Sequence, residues 1–149
     1  MDIEVKRALL DDVAQIAGLF DAYRQFYNRP NDLEACRRYL QARLSKGESV
    51  IFMVEMDGQA VGFCQLYPAW CSVEMAPIYV LYDLFVDADA RKHGIASKLL
   101  DAAAQFGRKN GAVRLDLSTA RTNLTAQSLY ERNGWVRDDV FLTYSLMLG

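Results

Sequence analysis

Residues 50–86 hold three strand-type runs in close succession, and that block constrains the fold more than any other part of the chain. VIFMVEM, residues 50–56, and AVGFCQLYPAW, residues 60–70, lie on either side of Asp57-Gly58. A short Asp-Gly connection between apolar runs is a strong hairpin signal, because its backbone twist matches that of the strands it joins. The third run, PIYVLYDLFV at residues 77–86, is rich in β-branched and aromatic residues. Such a run predicts a central strand buried on both faces.

Outside this block most of the periodicity is helical. From Asp11 to about Tyr27, Val13, Ile16, Ala17, Phe20 and Tyr23 recur at helical spacing, with Asp11 or Asp12 as cap and Asn28-Arg29-Pro30-Asn31 as breaker. A second helix is predicted from Leu33 to Leu44, started by Asn31 or Asp32 and stopped by Lys46-Gly47. A third begins near Gly94, carries Ile95, Leu99, Ala103 and Phe106 on one face, and stops at Asn110-Gly111. A short helix from Leu124 to Arg132 ends at Asn133-Gly134. Ile3 and Val5, VRLDLST at 113–119 and FLTYSLML at 141–148 supply the remaining strands. The predicted order is β-α-α-β-β-β-α-β-α-β. With no repeat and no linker-like loop, residues 1–149 read as one α/β domain.

Composition narrows the function classes. With 149 residues, 52% of them hydrophobic, the chain can bury a proper core. Seventeen basic against nineteen acidic residues give no general field for nucleic acid. No run reaches the roughly 20 apolar residues of a membrane span, and the N-terminus has no signal-like core. Cys36, Cys64 and Cys71 form no C-x-x-C pair or metal-ligand pattern, which fits reduced thiols and a cytoplasmic protein.

The most informative chemistry lies in DADARKHGIASKLL, residues 87–100. Arg91, Lys92 and His93 precede the third helix, at the end where the macrodipole favours anions. None of the three is a good side-chain N-cap, so the first amides of the helix need another acceptor. A bound phosphate would serve, with Gly94 and Ala96 allowing close approach of the backbone. The alternative is that Asp87 or Asp89 caps the helix and the basic side chains are solvated.

Arg91-x-x-Gly94-x-Ala96 after a strand ending at Val86 resembles the acetyl-CoA signature R/Q-x-x-G-x-G/A of the GNAT N-acetyltransferase superfamily. N-L-T-A-Q-S-L-Y-E-R-N-G-W, residues 123–135, is similar to that family's N-x-x-A-x-x-L-Y-x-x-x-G-F block, with Trp135 in place of phenylalanine. The resemblance implies a single-domain GNAT-like fold, a mixed and mostly antiparallel central sheet flanked by helices. It implies acetyl-CoA as cosubstrate, no metal, and a small amine as acceptor, transferred directly in a ternary complex. The amides of Arg91, Lys92, His93, Gly94, Ile95 and Ala96 would cradle the pyrophosphate, and Leu84, Phe85 and Val86 would pair with the pantetheine arm. Asn123 would serve as cap and cofactor contact, and Tyr130 would lie near the thioester sulfur as general acid.

Asp83, between Tyr82 and Leu84, is an acid in an apolar strand and the candidate base, or else a hydrogen-bonded structural residue. The segment Y-D-L-F-V-D-A-D-A-R looks nearest to the diamine and polyamine acetyltransferases, although Tyr82 stands where those carry glutamate. Glu74 or a water relay is the alternative base. Tyr23, Phe26, Tyr27, Trp70 and Glu74 are the candidates for an acceptor pocket that holds a small cation. Acetylation of protein amino groups, or a non-catalytic acyl-CoA sensor, are the competing functions. The resemblance further implies a homodimer, while the charge balance and the lack of a long apolar run argue against a nucleic acid or membrane partner.

Overall fold

The computed structural model describes residues 2–149, which cluster into two compact units, one ending at Ser118 and the other Thr119–Gly149. In the first unit, strand β1 (Ile3–Arg7) leads through a single 3-10 turn into helices α1 (Val13–Phe26) and α2 (Leu33–Ser45). Three strands follow, β2 (Val50–Met56), β3 (Gln59–Cys71) and β4 (Ala76–Val86), then helix α3 (Ile95–Lys109) and strand β5 (Leu115–Asp116). The five strands form one sheet in sequence order, antiparallel except for the parallel pair β4–β5. This mixed α/β sheet is the architecture that the sequence implied.

Local signals place most of the boundaries. Asp57 and Gly58 both have positive φ, 52° and 83°, as a twist-matched two-residue hairpin turn requires. The Asp32 carboxylate accepts from the Ala35 amide and caps α2. Asp12, expected to cap α1, instead accepts from the Leu9 amide and closes the 3-10 turn ahead of it. Buried Asp21 ties α1 to α2 by accepting from the Asp32 amide and from Gln25.

Two cores sandwich the sheet. Ile16, Phe20 and Leu40 from α1 and α2 pack with Ile51, Met53 and Phe63 on one side. On the other, α3 buries Ile95, Leu99, Leu100 and Ala103, with the Cys64 thiol donating to the Leu99 carbonyl at 3.9 Å. Each fully buried aliphatic or aromatic side chain stabilises by about 1.5–3 kcal/mol. Gly62 is required where α3 crosses: a Cβ there would lie 3.1 Å from Ile95 Cγ2 and 3.2 Å from the Phe85 carbonyl oxygen.

Three expectations need correction. The run at 77–86 is only partly buried, and Tyr82 is 67% exposed. The strand expected over 113–119 shrinks to two residues, so it covers little of β4. The closing strand at 141–148 does not form: Trp135–Gly149 contain no helix or strand, and Phe141 and Leu148 are exposed. An apolar run makes a segment competent to pair, but a strand also needs a ladder partner. This segment has none among the described residues. The second unit is therefore built on helix α4 (Leu124–Arg132) and its flanking turns.

Candidate active site

The turn after β4 has the character of an anion site. Asp87 caps a short 3-10 turn by accepting from the Asp89 amide, so neither aspartate caps α3. The N-cap of α3 is Gly94, which has a left-handed backbone (φ 70°, ψ 18°) and gives no side-chain cap. Lys92 also has positive φ, 73°, unusual for a residue with a side chain. The amides of Lys92, His93 and Gly94 donate to no other protein group among the described residues. Arg91 folds back to donate from Nε to the Val86 carbonyl at 3.1 Å, fixing the loop to the end of the strand. A Cβ on Gly94 would meet nothing within 4 Å, so the approach to this turn is open. Uncapped amides, an open approach and exposed Lys92 and His93 together fit a phosphate group.

Beside this turn, β4 presents an edge with no strand partner among the described residues. Its parallel ladder to β5 covers only Tyr79 and Val80, while its antiparallel ladder to β3 continues to Val86. Leu84, Phe85 and Val86 therefore lie past the last rung of the β5 ladder, where an extended ligand can add as a strand would.

The opposite side of β4 carries the acid. A bulge between β3 and β4 pairs Gln65 with Asp83 and Leu66 with Leu81, leaving Tyr82 as the extra residue. Bulges re-aim side chains: here Tyr82 stacks edgewise on Tyr67, 5.6 Å between centroids, while its neighbour Asp83 is also close enough to bias the Tyr67 hydroxyl. Asp83 is 6% exposed and accepts from Gln65 Nε2 at 2.8 Å. Burial pushes its carboxyl above the ordinary range, and hydrogen bonds from Gln65 and Tyr23 partly oppose that rise. Burial, with the Asp83 charge behind it, holds the Tyr23 hydroxyl protonated. Tyr67 is likewise raised by burial, by its hydrogen bond with Tyr39 and by Asp83. The Tyr39 and Tyr67 oxygens are 2.6 Å apart. The Tyr23 hydroxyl also reaches the carbonyl of the bulged Tyr82 at 3.3 Å.

Of the five residues expected to form an acceptor pocket, Tyr23, Tyr27 and Phe26 come together, with successive centroids 5.2 and 5.3 Å apart. Trp70 and Glu74 do not join them, because they are exposed at the far end of the β3–β4 hairpin. Six rungs of ladder separate the Gln65–Asp83 pair from Cys71–Ala76, about 20 Å of strand. Sequence reasoning missed Gln65, Tyr67 and Tyr39. A signal for two of them was available: Phe63, Gln65 and Tyr67 alternate, and a glutamine inside an apolar strand needs a partner.

In the second unit, Asn123 caps α4, its side chain accepting from the Ala126 amide at 3.1 Å. Tyr130 is half-buried on that helix, its ring 6.1 Å from that of Trp135. The Trp135 amide donates to the Tyr130 carbonyl, so the motif's last aromatic residue closes the helix end.

Known proteins are similar to this chain in sequence and fold. The model of the acetyltransferase (GNAT) family matches residues 16–135. YhfO of Bacillus subtilis (strain 168), named an uncharacterized N-acetyltransferase, is 44% identical over 144 residues, 97% of each chain. A crystal structure of a probable acetyltransferase is 36% identical and superposes with a TM-score of 0.93 over 98% of each chain. At 18% identity, an aminoglycoside N-acetyltransferase solved in complex with CoA shares the fold, with a TM-score of 0.82 over 99% of this chain and 96% of its own. The chain belongs to the GNAT family of acetyltransferases and is an acyltransferase.

Proposed function

We propose that the protein moves an acetyl group from acetyl-CoA to a primary amine of a small molecule, by direct transfer in a ternary complex. One observation carries this reading: β4 has an edge without a strand partner among the described residues, running into an uncapped basic turn, and its Asp83 is a buried carboxylate. Phosphates on the amides of residues 91–96 and a pantetheine arm along Leu84, Phe85 and Val86 would anchor the donor. That a fold neighbour was solved in complex with CoA agrees with this. A β4 amide would stabilise the oxyanion of the tetrahedral intermediate. Asp83 takes the proton that the acceptor ammonium must lose, a task suited to a carboxyl held above its usual range. Its burial favours it over Glu74, which is exposed at the hairpin end. Tyr130 protonates the departing thiolate, a role assigned from its place in the family motif.

The cluster of Tyr23, Tyr27, Tyr67 and Tyr82 beside one buried carboxylate suits a small cation. The Y-D-L-F-V segment keeps diamines and polyamines in the panel of acceptors. The exposed apolar tail at 141–148 supports pairing with a second copy, which sedimentation of the purified protein tests.

The deciding experiment is acetyl-CoA turnover across diamines, polyamines, amino acids, aminoglycosides and peptides, run in parallel with Tyr130→Phe. Acetylation of a small amine with a marked loss in the variant is expected. Turnover of peptides alone would move the substrate to protein amino groups. Tight acetyl-CoA binding without any acceptor consumed would leave a sensor.

A further inference from the structure

Gln65 is the most deeply buried polar residue of the sheet, at 0% exposure, and only half of its amide is used. Nε2 donates to Asp83 Oδ2 at 2.8 Å, while Oε1 is buried without a hydrogen-bond partner. A buried amide oxygen left unpaired is costly, and a sheet of this composition has apolar residues that would fill the position without that cost. The carboxylate fixes which end of the amide faces it, since an ionised acid can only accept. What remains beside Asp83 is a second acceptor, backed by the aromatic rings of Tyr23 and Tyr67.

We propose that Gln65 selects nitrogen over oxygen nucleophiles, by taking one N–H of the acceptor amine on Oε1 while Asp83 takes another. This rests on the acetyl-transfer reading above. A primary ammonium has three hydrogens. One passes to the Asp83 carboxylate, giving R–NH2 and the neutral acid, and one is held by Gln65 Oε1. The freed lone pair attacks the thioester carbonyl carbon. The C–N bond forms, the C–S bond breaks, and the thiolate takes a proton from Tyr130 to become CoA–SH. The surplus proton of the amine nitrogen restores Tyr130 by way of solvent, and Asp83 then gives its proton up to solvent. An alcohol has one hydrogen. If it gives that hydrogen to Asp83, its oxygen lone pairs face the Gln65 oxygen, and the unpaired acceptor stays unpaired. Rejection by an unsatisfied buried polar group is the strongest discrimination that a small site can exercise.

The test compares wild type with Gln65→Met, which keeps the volume and removes both amide groups, and Gln65→Glu, which keeps an acceptor. Amines and their matched alcohols are supplied at saturating acetyl-CoA: 1,4-diaminobutane with 1,4-butanediol, and benzylamine with benzyl alcohol. The second readout is the side-chain amide resonance of Gln65, assigned by its loss in Gln65→Met, in CoA-loaded protein titrated with each amine. Gln65→Met is expected to melt lower than wild type, because buried Asp83 loses its Nε2 donor, and to lose about 10- to 100-fold in kcat/KM for the preferred amine. Its ratio of amine to alcohol turnover should fall by a similar factor.

Gln65→Glu should retain amine binding but shift the acid limb of the rate profile upward. In that variant a second carboxyl joins Asp83 among its titratable neighbours, Tyr23 from α1 and Tyr67 and Cys64 from β3. In wild type the resonance moves with amine and stays still with alcohol.

Amine turnover with an unmoved resonance and a normal Gln65→Met enzyme would overturn the selection role and leave acetyl transfer standing. A resonance that moves with amines in a protein that acetylates none would sink acetyl transfer and keep the amine contact. An unmoved resonance with no turnover would sink both.

Discussion

Replacing Asp83 with asparagine should kill the reaction and stabilise the protein. The carboxyl is buried, and its ordinary value of 3.8 is raised chiefly by desolvation. A group that holds its proton more tightly when folded adds stability below that ordinary value. The contribution is lost as pH rises through the folded value, so at neutral pH wild type bears the cost of an ionised buried acid. Asparagine is uncharged at every pH. Its Oδ1 can still accept from Gln65 Nε2, and its Nδ2 can donate to Gln65 Oε1, which has no partner in wild type. Satisfying one buried acceptor is worth about 1–3 kcal/mol. For a chain of this length that corresponds to a rise in melting temperature of roughly 2–4 °C per kcal/mol. Removing a positioned general base lowers turnover by about 10²- to 10⁴-fold. Scanning calorimetry from pH 4 to 8, alongside the rate profile, checks both halves. Wild type should lose stability relative to Asp83→Asn as pH rises, while only wild type gains rate. An Asp83→Asn protein that melts lower at pH 7, or keeps more than a tenth of its turnover, refutes the reasoning.

Three other perturbations separate the parts of the site. Tyr130→Phe should lower turnover about tenfold or more without changing acetyl-CoA affinity, measured by calorimetry, because it removes a proton donor and little packing. Gly94→Ala meets no neighbour but forces a left-handed backbone on alanine, which costs about 1–2 kcal/mol; weaker acetyl-CoA binding with a lower melting temperature is expected. Asn123→Ala removes the cap of α4, a loss of about 1 kcal/mol read by urea denaturation.

The parts of this protein that could be read from its sequence are those whose causes are local. A hairpin at Asp57-Gly58, helix stops at Asn110-Gly111 and Asn133-Gly134 and a cap at Asn123 each depend on a few adjacent residues, and each stands where expected. The turn at Arg91–Ala96 was legible for the same reason: the lack of a good capping side chain beside Gly94 is visible without knowing what packs nearby. The tertiary structure decided whatever depends on pairing across the sheet. The run at 113–119 has strand character throughout, yet only Leu115 and Asp116 find a ladder, and the edge of β4 left without a strand partner among the described residues follows from that shortfall. Residues 141–148 are apolar enough to pair and form no strand, because a strand exists only with a partner. Gln65 and Asp83 lie 18 residues apart, and a bulge sets their register. Sequence periodicity put Asp83 in an apolar strand; only the register put a glutamine against it and left one oxygen of that glutamine without a partner.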